Sequence, residues 1–340
     1  MRGALVLLVL LALFVFCAGA GTASPSTDAV DLLQTYEPVL FFHASEDWAP
    51  QPVEAFLADA RVEKQTAEGS WKVGGGAIPT SSVGCTLVPC YRLNLPCSLR
   101  GGDACYEQMP VRTGEWQHPV VYGRVVAVPP GSAPAPGFTA PPKYLVRYWL
   151  FYEFDDYHTL RKRLWQAHEG DWESISVAVG ADGQPQFGAY SQHCSGTVRA
   201  WSSVEKRGLT HPVAYVALGS HANYFTNRPS STRFTECLKS GTASATVERI
   251  ARLAQERVVD RTGTAHALGP EGVPETTPLT ILPITSSTAW TQFPGRWSEG
   301  QLLWLGQTPR SFTSVSQGYG PATPRWTSTS IPSLWHIESS

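Results

Sequence analysis

Methionine is nearly missing from this chain, at 2 in 340 residues, and no apolar run reaches the length of a membrane span. The longest such run, Leu5 to Phe16, falls short of the roughly 18–20 residues that a spanning helix needs. An excess of charge is also lacking: 26 Lys and Arg stand against 28 Asp and Glu, and no extended basic run appears. A protein that grips phosphate backbones needs a positive stripe, so nucleic acid is excluded as a partner. No two cysteines stand at C-x-x-C spacing, which removes the usual zinc-knuckle reading. Gly219-Ser220-His221 lacks the G-x-S-x-G frame of a nucleophile elbow, and no internal repeat is present.

What is present begins with a secretory signal. Met1-Arg2-Gly3 is a short positive start, Leu5 to Phe16 is apolar, and the small residues Ala18-Gly19-Ala20 and Gly21-Thr22-Ala23 follow. Residues 1–23 therefore read as a signal peptide, cleaved after Ala20 or Ala23, with no transmembrane segment in the mature chain. Bulky Phe16 before Cys17 argues against lipid attachment there. The expected location is secreted or extracytoplasmic. Six cysteines remain after cleavage: Cys85, Cys90, Cys97, Cys105, Cys194 and Cys237. An even number in an exported chain reads as disulfides, and their connectivity stays open.

With 12 Trp, 12 Tyr and 13 Phe beside 30 Gly and 27 Pro, many short strands and tight turns are expected rather than a helical bundle. Strands are read at Tyr36–Phe42, Val120–Val128, Tyr144–Phe154, Asp171–Val179, Gln186–Ser191 and Val213–Leu218. Pro52 opens a short helix at Val53–Ala60, and apolar spacing over Ser244–Val259 predicts one amphipathic helix capped by Ser244. Pro129–Pro142 cannot pair into a sheet and reads as a long surface loop. The expected fold is mainly β: a single antiparallel, jelly-roll-like β-sandwich over residues 24–340. It carries a cysteine-rich insert near 61–119 and a tail with Trp290, Trp297, Trp304, Trp326 and Trp335.

The chemistry concentrates in His168-Glu169-Gly170-Asp171-Trp172-Glu173. On a strand, Asp171 and Glu173 share a face with Ile175, Val177 and Val179. Two carboxylates so close repel and resist desolvation unless a positive group holds them. A divalent cation answers that need, and Gly170 lets the chain bend so that His168 joins. The competing reading is a solvated strand end. Against it, Asp155 and Asp156 end the aromatic strand upstream, His193 ends Gln186–Ser191, and His221 follows the VAYVAL strand. Carboxylates favour Mg²⁺, Ca²⁺ or Mn²⁺ over Zn²⁺, a balance that three histidines would shift.

These motifs carry a resemblance. AHEGDWESISV, AYSQHC, THPVAYVALGSHANYF, YEPVLFFH, FPGRW and GYGPATPRW resemble the vacuolar protein sorting-associated protein sixty-two family over most of residues 36–327. More distantly, YWLFYEFDD followed by H-E-G-D-W-E is similar to the necrosis-inducing protein family, whose signature is an aromatic strand ending in Asp and then G-H-R-H-D-W-E. In those cytolysins the first His, the Asp and the Glu of the signature surround a divalent cation in a β-sandwich. The resemblance implies the same role for His168, Asp171 and Glu173, with Asp155 or Asp156 as the upstream acid. Tyr157–Ala167 is inserted relative to that signature, and His193 and His221 match two later histidines by order and context. Glu169-Gly170 stand where the signature has Arg-His. Metal binding carries over and membrane lysis does not.

Three functions are compatible with this reading: recognition of a glycan or lipid headgroup through the metal, metal-dependent hydrolysis of an extracellular substrate, and a structural secreted protein with a stabilising metal. The cysteine pattern makes its own prediction. Mass mapping of the mature, non-reduced protein will find no free thiol, and two or more free thiols would overturn the secreted-disulfide expectation.

Overall fold

In a computed structural model, the described residues are 27–65, 71–73, 91–95, 116–135, 137–159, 164–192, 195–228, 260–285, 287–293, 295–298, 302–305, 314–315, 328 and 336–337. All six disulfide candidates, His193, the expected helix at Ser244–Val259, Trp326 and Trp335 lie outside them.

The architecture is mainly β, in three sheets among the described residues. The largest is built on a hairpin of two 16-residue strands, Tyr144–Thr159 and Leu164–Val179. Aromatic and β-branched residues at alternate positions suit a pleated surface that is covered on both sides. One face of the hairpin carries Val146, Tyr148, Leu150 and Tyr152 opposite Val177, Ile175, Glu173 and Asp171. The other carries Leu145, Arg147, Trp149 and Phe151 opposite Ala178, Ser176, Ser174 and Trp172. Val120–Ala127 pairs antiparallel on one side, and Pro185–Gln192 and then Ser195–Ala200 continue the meander on the other.

A second sheet places Val39–Phe42 between His211–Val216, which runs parallel to it, and His266–Gly269, which runs antiparallel. Leu40, Phe42, Ala214, Val216 and Leu268 from this sheet meet Val146, Tyr148, Leu150 and Ile175 of the hairpin in one core. The chain steps from one sheet to the other at buried Leu279. Its N–H donates to Gly269 O at 2.9 Å, and the next N–H, of Thr280, donates to Pro119 O at 3.0 Å. A third, small sheet joins Trp71–Val73, Arg61–Gln65 and Tyr91–Asn94.

Several sequence expectations change here. The sheets are mixed rather than antiparallel, because Val39–Phe42, Thr277–Pro278 and Thr280–Pro283 each have a parallel partner. Parallel pairing joins segments distant in the chain and leaves no hairpin signal to read. Tyr36 precedes its strand and follows an unanticipated helix, Thr27–Thr35. Tyr157–Thr159 and Leu164–Ala167 prolong the hairpin ladder, so Asp155 and Asp156 sit within a strand rather than at its end. Of the tail tryptophans, Trp290 and Trp297 pack into the core with Phe56, Phe151 and Trp172. In the Pro-rich loop, Phe138 covers Phe187 on the outer face of the large sheet, with ring centroids 4.4 Å apart.

One residue sets the position of the site. Gly170 has φ +60°, a left-handed conformation that disfavours side chains, and a Cβ there would collide with the Trp297 carbonyl oxygen. The ladder skips the Glu153–Gly170 rung and resumes at Phe154–Glu169 and Asp155–His168. We expect Gly170→Ala to destabilise the protein by about 2–4 kcal/mol, combining backbone strain with displacement of Trp297. Urea denaturation of the two proteins will show it; a difference below about 1 kcal/mol would contradict the close approach.

Candidate metal centre

In a regular strand His168 and Asp171 would point to opposite faces, because their numbers differ by an odd step. The break at Gly170 brings them to one side. His168 Nε2 lies 4.0 Å from Asp171 Oδ1 and 3.3 Å from Asp155 Oδ2 on the neighbouring strand. One ligand atom from each of Asp155, His168 and Asp171 falls within 4.8 Å of the other two. Their side chains retain 11, 13 and 9% exposure, so the group sits at the edge of the core, not sealed inside it.

The tautomer of His168 follows from its neighbour. Nδ1 stands 3.1 Å from the Glu169 carbonyl oxygen, which can only accept, so Nδ1 carries the proton. In the neutral ring, Nε2 then presents a lone pair towards two carboxylate oxygens. That arrangement is repulsive unless a proton or a cation lies between them.

A second layer supports the first. His221 is fully buried, and its Nδ1 lies 2.9 Å from Asp171 Oδ2. Its Nε2 faces Glu46 Oε1 at 3.5 Å, an ion-pair separation longer than a hydrogen bond. The ring stacks flat on Tyr152, with centroids 3.7 Å apart and planes 5° from parallel. Glu46 in turn accepts the Gly219 N–H at 2.7 Å and the Trp48 N–H at 3.1 Å. Glu173 is buried and accepts a hydrogen bond from the Ser191 hydroxyl, which itself accepts the Ser174 N–H at 2.6 Å.

Electrostatics follow from this crowding. Burial first, and then the Asp171 charge, hold the Asp155 carboxyl well above its usual range, although His221 pulls it down. Glu173 is raised by the same two causes, opposed by the Ser191 hydrogen bond and His221. Burial alone would lower the His221 imidazole; Glu46 and Asp171 outweigh it and push the group up to about 10. At neutral pH this ring is an imidazolium between two carboxylates.

The structure thus brings together Asp155, His168, Asp171, Glu173 and His221. Of the two upstream acids, Asp155 belongs to the three-donor group, whereas Asp156 is not in it and gives its backbone N–H to Gly219 O at 2.9 Å. His193 lies outside the described residues. Sequence reasoning missed Glu46, Tyr152 and Ser191. Only Ser191 had a sequence signal, its place on the strand that leads to His193.

No protein-family model, curated protein or solved structure matches this chain, so the site is read from its own geometry. Two carboxylates and one imidazole are a donor set suited to Mg²⁺ or Mn²⁺, and with added oxygen ligands to Ca²⁺. The Tyr152 hydroxyl is consistent with that fit. It is fully buried beside the charges of Glu46, Asp171 and Glu173 and has no hydrogen-bond partner among the described residues.

Asp155, Glu173 and His221 all hold protons more tightly when folded than when unfolded. The carboxyl contribution to stability is therefore complete below their unfolded values, near pH 4, and declines as pH rises. The imidazole contribution is complete below about 6.5 and is lost as pH rises through about 10. Metal-free protein should melt at progressively lower temperature from about pH 5 to about pH 9, and added Mn²⁺ should restore more at the alkaline end. A flat profile in calorimetric scans, with no response to the ion, would contradict this.

Proposed function

We propose that this is a secreted metal-binding protein, a β-sandwich with disulfide-bonded loops, that recognises a glycan or lipid headgroup through a divalent cation. The cation is held by Asp155, His168 and Asp171, with Glu173 contributing negative charge from behind. One observation carries the reading: the Nε2 lone pair of His168 and a carboxylate oxygen from each of two strands converge on one position at the edge of the core. Three protein donors leave coordination positions for an outside ligand. Phosphate and sugar hydroxyl oxygens suit a hard cation. The resemblance to the necrosis-inducing protein family points the same way.

Recognition is favoured over hydrolysis because the groups placed to act as a base are already engaged. Both ring nitrogens of His221 face carboxylates, and Glu173 accepts the Ser191 hydroxyl. A hydrolytic centre needs a base within reach of the attacking water.

Purified wild-type protein should take up a single divalent ion by calorimetric titration and elemental analysis. Asp171→Ala should take up none. It should also lose roughly 2–4 kcal/mol of stability, because the buried imidazolium keeps one carboxylate partner instead of two. Binding to glycan and anionic-lipid arrays should disappear with EDTA. Unchanged metal affinity in Asp171→Ala would refute the site, and array binding that survives EDTA would refute recognition through the metal.

A further inference from the structure

We infer that Glu46 is a positioning residue for the metal centre: acting through His221, it fixes the carboxylate plane of Asp171 so that one oxygen is tied back and the other faces the ion. This rests on the reading of Asp155, His168 and Asp171 as metal ligands and adds a determinant of affinity outside the ligand set.

The chain of contacts is buried, with hydrogen bonds at both ends and a 3.5 Å ion pair between Glu46 and the His221 ring in the middle. The Gly219 and Trp48 N–H groups hold Glu46, Glu46 faces His221 Nε2, and His221 Nδ1 meets Asp171 Oδ2. Asp171 Oδ1 is then the oxygen turned towards His168. A carboxylate anchored through one oxygen loses most of its freedom to rotate, and ligands held this way bind metal more tightly than loose ones. The ring linking the two acids is itself constrained. Tyr152 stacks on it in parallel, and its backbone sits at φ +53°, uncommon for a residue other than glycine.

The turn that presents this ring is clamped from both ends. Gly219, at φ +75°, donates to Glu46 and accepts the Asp156 N–H at 2.9 Å; a Cβ on it would collide with the Asp156 carbonyl. Glycine adopts this conformation without strain, and the two contacts fix where the turn presents His221.

The test is a double-mutant cycle on the full chain, titrated with Mn²⁺ alone, with the bound ion's electron paramagnetic resonance line shape as a second readout. Glu46→Gln should weaken Mn²⁺ binding by about 10–100-fold and alter the line shape of the residual complex. His221→Asn, whose side chain tolerates the left-handed backbone, should do the same and provides the test if Glu46→Gln does not fold. The double variant should be no worse than either single, because Glu46 acts only through the ring. Tyr148→Phe removes a buried hydrogen bond to Leu33 O away from the centre and should leave affinity and line shape unchanged. If Glu46→Gln binds Mn²⁺ as wild type does while Asp171→Asn does not, the positioning role is refuted and the metal site stands. Losses that add in the double variant refute it equally. Absence of Mn²⁺ binding by wild type refutes the metal site itself.

Discussion

Buried acidic groups are the constraint around which this molecule is arranged. Asp155, Asp171, Glu173 and Glu46 all have little access to water, and the His221 ring lies between two of them, Glu46 and Asp171. Desolvating several carboxylates together is so unfavourable that each must be protonated, paired or metal-bound. The protein uses layers. The inner layer of Glu46, His221 and Tyr152 lies against Asp171; the outer group of Asp155, His168 and Asp171 is the one whose ligand atoms lie close enough together to hold an ion. In the proposed reading the inner layer supplies the outer group with counter-charge and alignment.

Topology explains how residues so distant in the chain reach one another. Val39–Phe42 and His211–Val216 run parallel, so their C-terminal ends lie side by side. Glu46 follows the first of these strands and His221 the second, and both loops therefore open towards the same rim. The long hairpin crosses beneath that rim with its acidic segment. A purely antiparallel arrangement of these two strands would have sent Glu46 and His221 to opposite ends of the sheet.

The legibility of the sequence divides along the same line. Local patterns were readable: the alternation in Tyr144–Phe154 and Asp171–Val179, the helix after Pro52 and the shared face of Asp171 and Glu173 all recur in the structure. Gly170 was recognisable as the bend that admits His168, since only the H-x-x-D spacing needed one. Glu46 was invisible. It stands in His43-Ala44-Ser45-Glu46-Asp47, a polar stretch with no periodicity, and its importance comes from a parallel strand pair that leaves no local trace. The extent of the hairpin was underestimated because Asp155-Asp156 resembles a strand terminus. A strand tolerates such a pair when one of its members is drawn into a buried cluster.

The skipped rung at Gly170 has a structural corollary for the hairpin as a whole. Beyond it, the ladder from Phe154–Glu169 to Thr159–Leu164 keeps the same offset as the ladder from Tyr144–Val179 to Tyr152–Asp171, so one rung is lost without a slip in register. The outer portion is tied in from the side as well, because Asp156 donates its N–H to Gly219 O and Leu302–Leu305 pairs with Leu164–Ala167. A one-residue insertion or deletion in either strand between the skipped rung and Asp155 or His168 would slip the pairing and turn a donor to the opposite face.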